Sequence, residues 1–600
     1  MTHPDADARH IYEGWHAAVV ARDVDALMAL YTDDAVLETP LIVVTLPGHG
    51  SGVLHGKAAI GAFFAAGLRN PGNRLGRWYR TGLFFSNGRQ LTWEYPRATP
   101  EGDQVDLVEV MDLRDGLIAH HRVYWGWVGF LALLAAAPNR AAARRVLAAT
   151  CVSYTLVLLD ASIVNVALTD IAHTFGSRIA GLQWIVNAYT LAFASLLMTG
   201  GTLGDRLGDR TVYVAGLAIF VAASALCGIA PSLPALAIAR ALQGIGSAML
   251  VPCSLALLNR AFPEPAARAS AISLWMGCGG IAMASGPLIG GLLIHLSGWR
   301  SLFFVNLPLG LAGIWLARTV TRAAGDASRH FDWGGQAAAI VAIATLIGTL
   351  IEGPSLGWRS APIVGGAATS AVAWITFIAI EARRREPMLP LAFFRNRLFA
   401  GSTLVSMASA FVFYGLLFVL SLFYRQIRGA SPLDTGLAFL PMTAMVALGG
   451  LCSGRLVARF GARGSMCAAF ALYAAGALGM TGIGAATPEW LAVAPMLAIG
   501  FASGFISPAA TSPALGTVDR RRAGVAAAAL NAARQSGSAL GVAIFGACIA
   551  TVQPFPVAMR VALLAAVAIS GSAMATWWIA TREVLKVGAH TVGIRVLEGE

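Results

Sequence analysis

The sequence predicts a multi-pass α-helical membrane protein, two six-helix bundles plus two inserted helices, with an N-terminal soluble α+β cone-shaped domain. Three observations predict it. The 600 residues are 57% hydrophobic and only 12% charged, a composition unsuited to a wholly water-facing surface. From residue 146 onward the apolar residues gather into about fourteen runs of the length a helix needs to cross a bilayer core. A ten-residue loop pattern also occurs twice, as expected of a membrane domain built from related halves.

Charge separates the two parts. Residues 1–130 hold 11 Lys and Arg against 15 Asp and Glu, a charge of about −4, which leaves +16 on the remainder of a chain whose net charge is +12. Its Arg residues lie in short breaks between apolar runs, which assigns them to membrane topology and anionic lipid; no nucleic-acid partner is expected. All seven Cys fall in the apolar part, with no C-x-x-C and no nearby His pair. Neither a disulfide framework nor a metal site is expected, and no cofactor. The opening Met1-Thr-His-Pro-Asp-Ala-Asp-Ala-Arg-His10 lacks the basic and apolar regions of a secretory signal, so the first domain is expected in the cytoplasm.

Within residues 1–130, helical spacing over 9–31 places Ile11, Trp15, Val19, Leu27 and Leu30 on one apolar face, and 58–68 suggests a second helix. Alternating runs at 79–86, 89–96, 104–113 and 117–127, broken by Asn87-Gly88 and Asp115-Gly116, predict antiparallel strands. Candidate pocket groups are Tyr31, Glu94, Asp106, His121 and Tyr124. A His-carboxylate combination is able to move protons next to a carbonyl, although binding or a structural role is the expectation ahead of catalysis. Trp125 to Leu134 is apolar but too short to span a membrane. Residues 131–145 read as a linker, 146–582 as the transport domain and 583–600 as a cytoplasmic tail.

The apolar runs cover 146–170, 184–204, 210–230, 234–257, 268–296, 300–319, 333–352, 361–380, 399–423, 434–457, 464–485, 489–513, 523–550 and 560–581. Alternate breaks are Arg-rich: Arg140, Arg144 and Arg145; Arg206 and Arg210; Arg260 and Arg268; Arg318, Arg322 and Arg329; Arg383 to Arg385; Arg455, Arg459 and Arg463; Arg520 to Arg522; then Arg582 and Lys586. Positive loops stay in the cytoplasm, so both termini are expected there. Arg425 and Arg428 are the exception.

Gly201-Thr-Leu-Gly-Asp-Arg-Leu-Gly-Asp-Arg210 follows the second run, and Gly454-Arg-Leu-Val-Ala-Arg-Phe-Gly-Ala-Arg463 follows the tenth. That spacing leaves the seventh and eighth runs inserted between two bundles. Together with Leu159-Asp-Ala-Ser-Ile-Val-Asn-Val-Ala-Leu168, Arg240-Ala-Leu-Gln-Gly-Ile-Gly246 and Gly286-Pro-Leu-Ile-Gly-Gly291, these loops resemble the major facilitator superfamily, specifically its fourteen-helix drug/proton antiporters. The resemblance covers about residues 146–580 and implies export of small molecules in exchange for protons. The chain departs from the family pattern at Thr169, usually Pro, and in the second loop copy, which lacks the acid. In the N-terminal part, Asp23 to Val36, His55-Gly-Lys-Ala-Ala-Ile60 and Asp115-Gly-Leu-Ile118 resemble the nuclear transport factor 2-like, polyketide-cyclase-like fold.

In the first loop copy, Gly201 and Gly208 let helices approach, while Asp205 is expected to pair with Arg206, Arg210 or a helix N-terminus. Gly286, Gly290 and Gly291 are expected to permit close helix contact and Pro287 to kink its helix.

The most informative residues are charges inside apolar runs, since a charge at mid-membrane costs ~2.5–3.5 kcal/mol on insertion scales. Asp160 and Arg240 both fall ~21 Å from the cytoplasmic side at 1.5 Å per residue. They are expected to form a pair in which Asp160 binds protons and Arg240 stabilises its ionised form; a static packing pair is the alternative. Arg534 is expected either to bind an anionic or polar substrate group or to hold the second bundle together. Asn165, Gln243, Trp275, Asn306, Tyr414 and Gln535 are candidates to line a substrate cavity.

Overall fold

The computed structural model describes residues 4–46, 51–68, 83–95, 107–126, 140–262, 264–318, 320, 332–384, 387–519 and 522–582. The chain divides into two compact units, Met1–Arg140 and Ala141–Glu600.

In the first unit, α1 (Pro4–Ala21) and α2 (Val24–Ala29) precede β1 (Tyr31–Glu38). The helix expected over 9–31 is interrupted because Arg22 takes a left-handed backbone (φ 58°) and Asp23 caps α2, its carboxylate accepting from the Ala26 N–H. Short α3 (Leu41–Thr45) and β2 (Val53–His55) lead to α4 (Lys57–Leu68), then β3 (Phe85–Ser86), β4 (Gln90–Tyr95), β5 (Leu107–Arg114) and β6 (Leu117–Trp125). The six strands are ordered β2-β1-β6-β5-β4-β3, antiparallel except where β1 runs parallel to β6. Strand β1 escapes a period-two reading because its register to β6 shifts between Tyr31 and Val36, so its buried positions do not alternate. Trp15, Leu27, Tyr31, Ile60, Trp93 and Met111 form the core between helices and sheet.

In the second unit, the fourteen apolar runs are all helical. They form α5 (Arg140–Phe175), α6 (Ile179–Leu207), α7 (Asp209–Gly228), α8 (Leu233–Ala261), α9 (Pro265–Ser297), the broken pair α10 (Ser301–Phe304) and α11 (Asn306–Ala317), α12 (Trp333–Leu356) and α13 (Ala361–Arg383). There follow α14 (Arg397–Leu422) with a π-turn to Ile427, α15 (Pro432–Phe460), α16 (Ala462–Met480), α17 (Trp490–Gly516), α18 (Ala523–Thr551) and α19 (Phe555–Ala580). Among the described residues, eleven helices are long and apolar enough to cross a membrane, fewer than the fourteen runs suggest. The remainder differ for local reasons: the sixth run is broken at Val305, α16 carries the charged Arg463 in its first turn, and α18 carries the polar cluster Asn531, Arg534 and Gln535.

Helix α12 docks on α6 through Trp184 Nε1 donating to Glu352 Oε1 (2.8 Å) and Gln336 Nε2 donating to the Ser195 carbonyl (2.7 Å). The two bundles meet chiefly at the Arg-poor end. There Gln183 of α6 donates to the carbonyls of Val542 and Ala543 in α18 (3.0 and 2.8 Å), and Ser421 of α14 donates to the Asn165 carbonyl of α5. Arg425 and Arg428, which break the alternation of positive loops, are occupied by partners. Arg425 bonds Asp170 at 2.7 Å, and Arg428 pairs with Glu489 at 3.5 Å while donating to the Gly484 and Thr487 carbonyls.

Candidate functional site: a caged carboxylate between helices

Asp160 stands on α5 with no solvent exposure, and Arg240 on α8 with 1%. Arg240 Nη1 donates to Asp160 Oδ2. The other carboxylate oxygen accepts from Asn306 Nδ2 (3.0 Å) and Gln243 Nε2 (3.3 Å), so three helices, α5, α8 and α11, meet on one acid. The guanidinium is held in turn by Gln243 Oε1 (2.8 Å), the Ile185 carbonyl (3.3 Å) and the face of Tyr189, 4.4 Å from its centre. Asn306 also reaches Ser224 Oγ (3.1 Å), and Cys227 donates to Gln243 (3.2 Å). Within the apolar bundle this carboxylate has three hydrogen-bond donors, one of them cationic.

Gln243 and Asn306, expected as cavity lining, are fully buried and spend their amides on Asp160. Asn165, Tyr414 and Gln535 do border a cavity, together with Tyr189, Arg240 and Ser538. It has room for about one water molecule. Trp275 stacks on Tyr154 at 3.9 Å, away from that cavity's lining. Arg534 donates to Ser507 Oγ on α17 and Asn531 Oδ1 on its own helix. Tyr154, Tyr189 and Ser507 had no local signal in the sequence, since hydroxyls and rings in apolar helices are common packing groups.

In the first unit, Glu109 Oε2 accepts from His121 Nε2, His121 Nδ1 accepts from Tyr31 OH (2.7 Å), and Tyr31 OH accepts from Trp15 Nε1 (3.3 Å). A second histidine, His16, donates to the Tyr12 carbonyl (2.7 Å) and accepts from Tyr95 OH (2.8 Å); burial pulls its pKa below the ordinary 6.5. Of the expected pocket groups, Tyr31 and His121 come together, Glu94 and Tyr124 are exposed, and Asp106 lies outside the described residues. Glu109 and His16 were missed. Glu109 sits on the inward phase of β5, which the sequence does not reveal once the bulge at Asp112 shifts the register.

Residues 150–542 match the model of the Major Facilitator Superfamily. The chain belongs to that superfamily. Residues 12–121 match the SnoaL-like domain. Among curated superfamily relatives, the "Methylenomycin A resistance protein" of Bacillus subtilis is 37% identical over 407 residues, 67% of this chain and 87% of the relative. The "Tetracenomycin C resistance and export protein" of Streptomyces glaucescens is 34% identical over 407 residues, 68% and 76% respectively. The human organic anion transporter MFSD10 superposes with a TM-score of 0.52 at 16% identity, covering 72% of this chain and 99% of its own; that likeness concerns the fold alone.

The superfamily loop motifs take up corresponding backbone positions. Gly208 and Gly461, the eighth residues of the two copies, both adopt left-handed φ (89° and 78°) at a helix-to-helix turn. Arg210 caps the end of α11, donating to the Ala317 and Arg318 carbonyls at 3.0 Å each. In this loop Asp209 pairs with Arg260 at 3.0 Å. Asp205 and Arg206 lie at the last turn of α6, and Gly201 faces Pro252 of α8. Along α9, a side chain at Gly286 or Gly290 would overlap Ser162 or Ile163 of α5, and one at Gly291 would overlap the Pro432 carbonyl of α15. Helix α9 passes through Pro287 without ending and packs that residue's carbonyl against Gly436.

Proposed function

We propose that this superfamily member is a proton-coupled antiporter that exports drugs or secondary metabolites across the cytoplasmic membrane, both termini inside. The Arg-rich breaks support that orientation, and the resistance and export proteins among its relatives support the direction of transport. The observation that carries the coupling is the fully buried Asp160, ligated by Arg240, Gln243 and Asn306.

A proton arriving on Asp160 removes the charge that Arg240 neutralises and converts one acceptor oxygen into a donor. The buried guanidinium is then left seeking a partner, which favours a rearrangement of α5 against α8. Because bonds between the bundles concentrate at the Arg-poor end, this conformation is closed to the outside under the proposed orientation. Protonation of Asp160 from outside and release of the proton inside then accompany alternation between the two states. A potential of 100 mV adds ~2.3 kcal/mol per charge carried inward. The deciding experiment uses oriented proteoliposomes under an imposed pH difference: Asp160→Asn should insert normally yet export without response to the gradient. Retained coupling in a well-inserted Asp160→Asn protein removes the proposal.

The Trp15–Tyr31–His121–Glu109 relay favours a second reading for the N-terminal unit, an isomerase- or cyclase-like step preceding export. A buried imidazole between a carboxylate and a phenol is equipped to shuttle a proton. Comparing mass and retention time of a compound before and after export by the wild type and His121→Ala tests it; identical product from both proteins refutes it.

A further inference from the structure

Resting on the exporter reading above, we infer that the transport site is selective for planar organic anions, bearing a carboxylate, phenolate or enolate, over lipophilic cations. The argument begins with the charges inside the bundles. Asp160 and Arg240 cancel one another. Arg534 stands eleven residues into α18, ~16 Å along the helix axis, and among the described residues no carboxylate is in ion-pair contact with it. Its partners Ser507 Oγ and Asn531 Oδ1 are neutral and occupy part of a fork of five N–H donors. The half-buried guanidinium therefore keeps its positive charge and has donors to spare.

The groups around it share that bias toward donation. Next to Arg534 on the same helix, Gln535 shares a cavity wall with Tyr414, and Ala532 packs in the apolar cluster that holds Tyr154 and Trp275. Tyr154 lies flat against Trp275, and Trp275 Nε1, in a side chain 6% exposed, is a buried donor with no acceptor. An indole N–H donates only, and so does a guanidinium. A stacked aromatic pair beside two unsaturated donor groups and a net positive charge is complementary to a flat ring carrying anionic oxygens. A cation at the same place meets the field of Arg534 with no carboxylate available to offset it. Tyr414 also borders the small cavity that Arg240 lines.

The test compares two dyes with the same xanthene core, anionic fluorescein and cationic rhodamine 123. Binding to the purified full-length protein in nanodiscs is read by quenching of tryptophan fluorescence, with Trp275→Phe locating the signal. Fluorescein should bind at least tenfold more tightly than rhodamine. Arg534→Gln should weaken fluorescein at least tenfold and leave rhodamine unchanged or tighter, Arg534→Lys should retain most of the affinity, and Arg534→Glu should reverse the preference. Tighter binding of rhodamine by the wild type, or binding of neither dye, overturns the inference without any variant having to fold; so does unaltered fluorescein affinity in a folded Arg534→Gln protein. No pH gradient is applied in the binding measurement. Failure of the antiport reading would show separately, as fluorescein export that ignores an imposed pH difference in proteoliposomes.

Discussion

Arg425 Nη2 donates to Asp170 Oδ1 across 2.7 Å, joining the π-turn after α14 to the last turns of α5 and so one bundle to the other. The pair is half-buried, and its two residues are 255 positions apart in sequence. It lies at the end where Ser421 and Gln183 also cross between the bundles. A pair so placed stabilises the state in which that end is shut and contributes nothing once it opens.

Removing it should shift the population. Partly buried pairs contribute about 1 kcal/mol, a factor of about five. In a cysteine-free background carrying Asn165→Cys, labelling by a membrane-impermeant thiol reagent should therefore rise several-fold in Arg425→Ala, and the exchanged pair Asp170→Arg with Arg425→Asp should restore it. Equal labelling in all three proteins would rule the latch out.

The caged pair should behave asymmetrically. Arg240→Ala leaves a buried carboxylate with only amide donors and should cost about 3–5 kcal/mol, as when one partner of a buried pair is removed. Asp160→Asn combined with Arg240→Gln removes both charges and should recover part of that loss. Thermal unfolding in detergent gives the comparison; a double variant no more stable than Arg240→Ala would show that electrostatics is not the cause.

Packing along α9 yields a sharper contrast between glycines. A methyl group at Gly291 collides with the Pro432 carbonyl, which belongs to backbone and has little room to move, so Gly291→Ala should cost about 1–3 kcal/mol. Gly454, inside α15 with nothing within 4 Å of its missing Cβ, should tolerate Ala and gain up to ~1 kcal/mol of helix propensity. Expression level and melting temperature of the two variants provide the check. The reverse order is not compatible with the helix contacts described.

The N-terminal unit should weaken in acid. His16 is buried among Tyr12, Trp15, Trp93 and Tyr95, and its folded pKa lies below 6.5. Between the two values the unfolded chain binds more protons, so stability rises with pH there: it is fully present above 6.5 and lost as pH falls toward the folded value. The slope reaches at most ~1.4 kcal/mol per pH unit for one proton. Hydrogen-exchange protection factors of α1 and β4 in the full-length protein, corrected for the intrinsic exchange rate at each pH, should fall from pH 7.5 to 5.5 and do so less in His16→Gln. Exchange with the same pH dependence in both proteins assigns the effect to other groups.

Much of this protein was legible without coordinates because a bilayer simplifies the physics. Lipid offers no hydrogen bonds, so a spanning segment must be a long apolar helix, and each of the fourteen runs is helical. The same rule makes an embedded charge conspicuous, which is why Asp160, Arg240 and Arg534 stood out. In the water-facing unit the pattern was weaker. Its first helix is cut at Arg22, β1 is disguised by an irregular register, and Glu109 was passed over for the neighbouring acids.

By itself the sequence determined the division into an α+β unit and a helical membrane unit, the helical runs, the repeated loop and the three charges that lipid would not tolerate alone. All of these follow from local composition and from spacing along one chain. Only the tertiary structure decided the partners: that Gln243 and Asn306 serve Asp160 instead of lining a cavity, that Arg425 reaches Asp170, and that Arg534 has neutral ligands. Partner choice depends on how helices hundreds of residues apart rotate about their own axes, and that rotation is set by the packing of small residues such as Gly286, Gly291 and Gly436 between them.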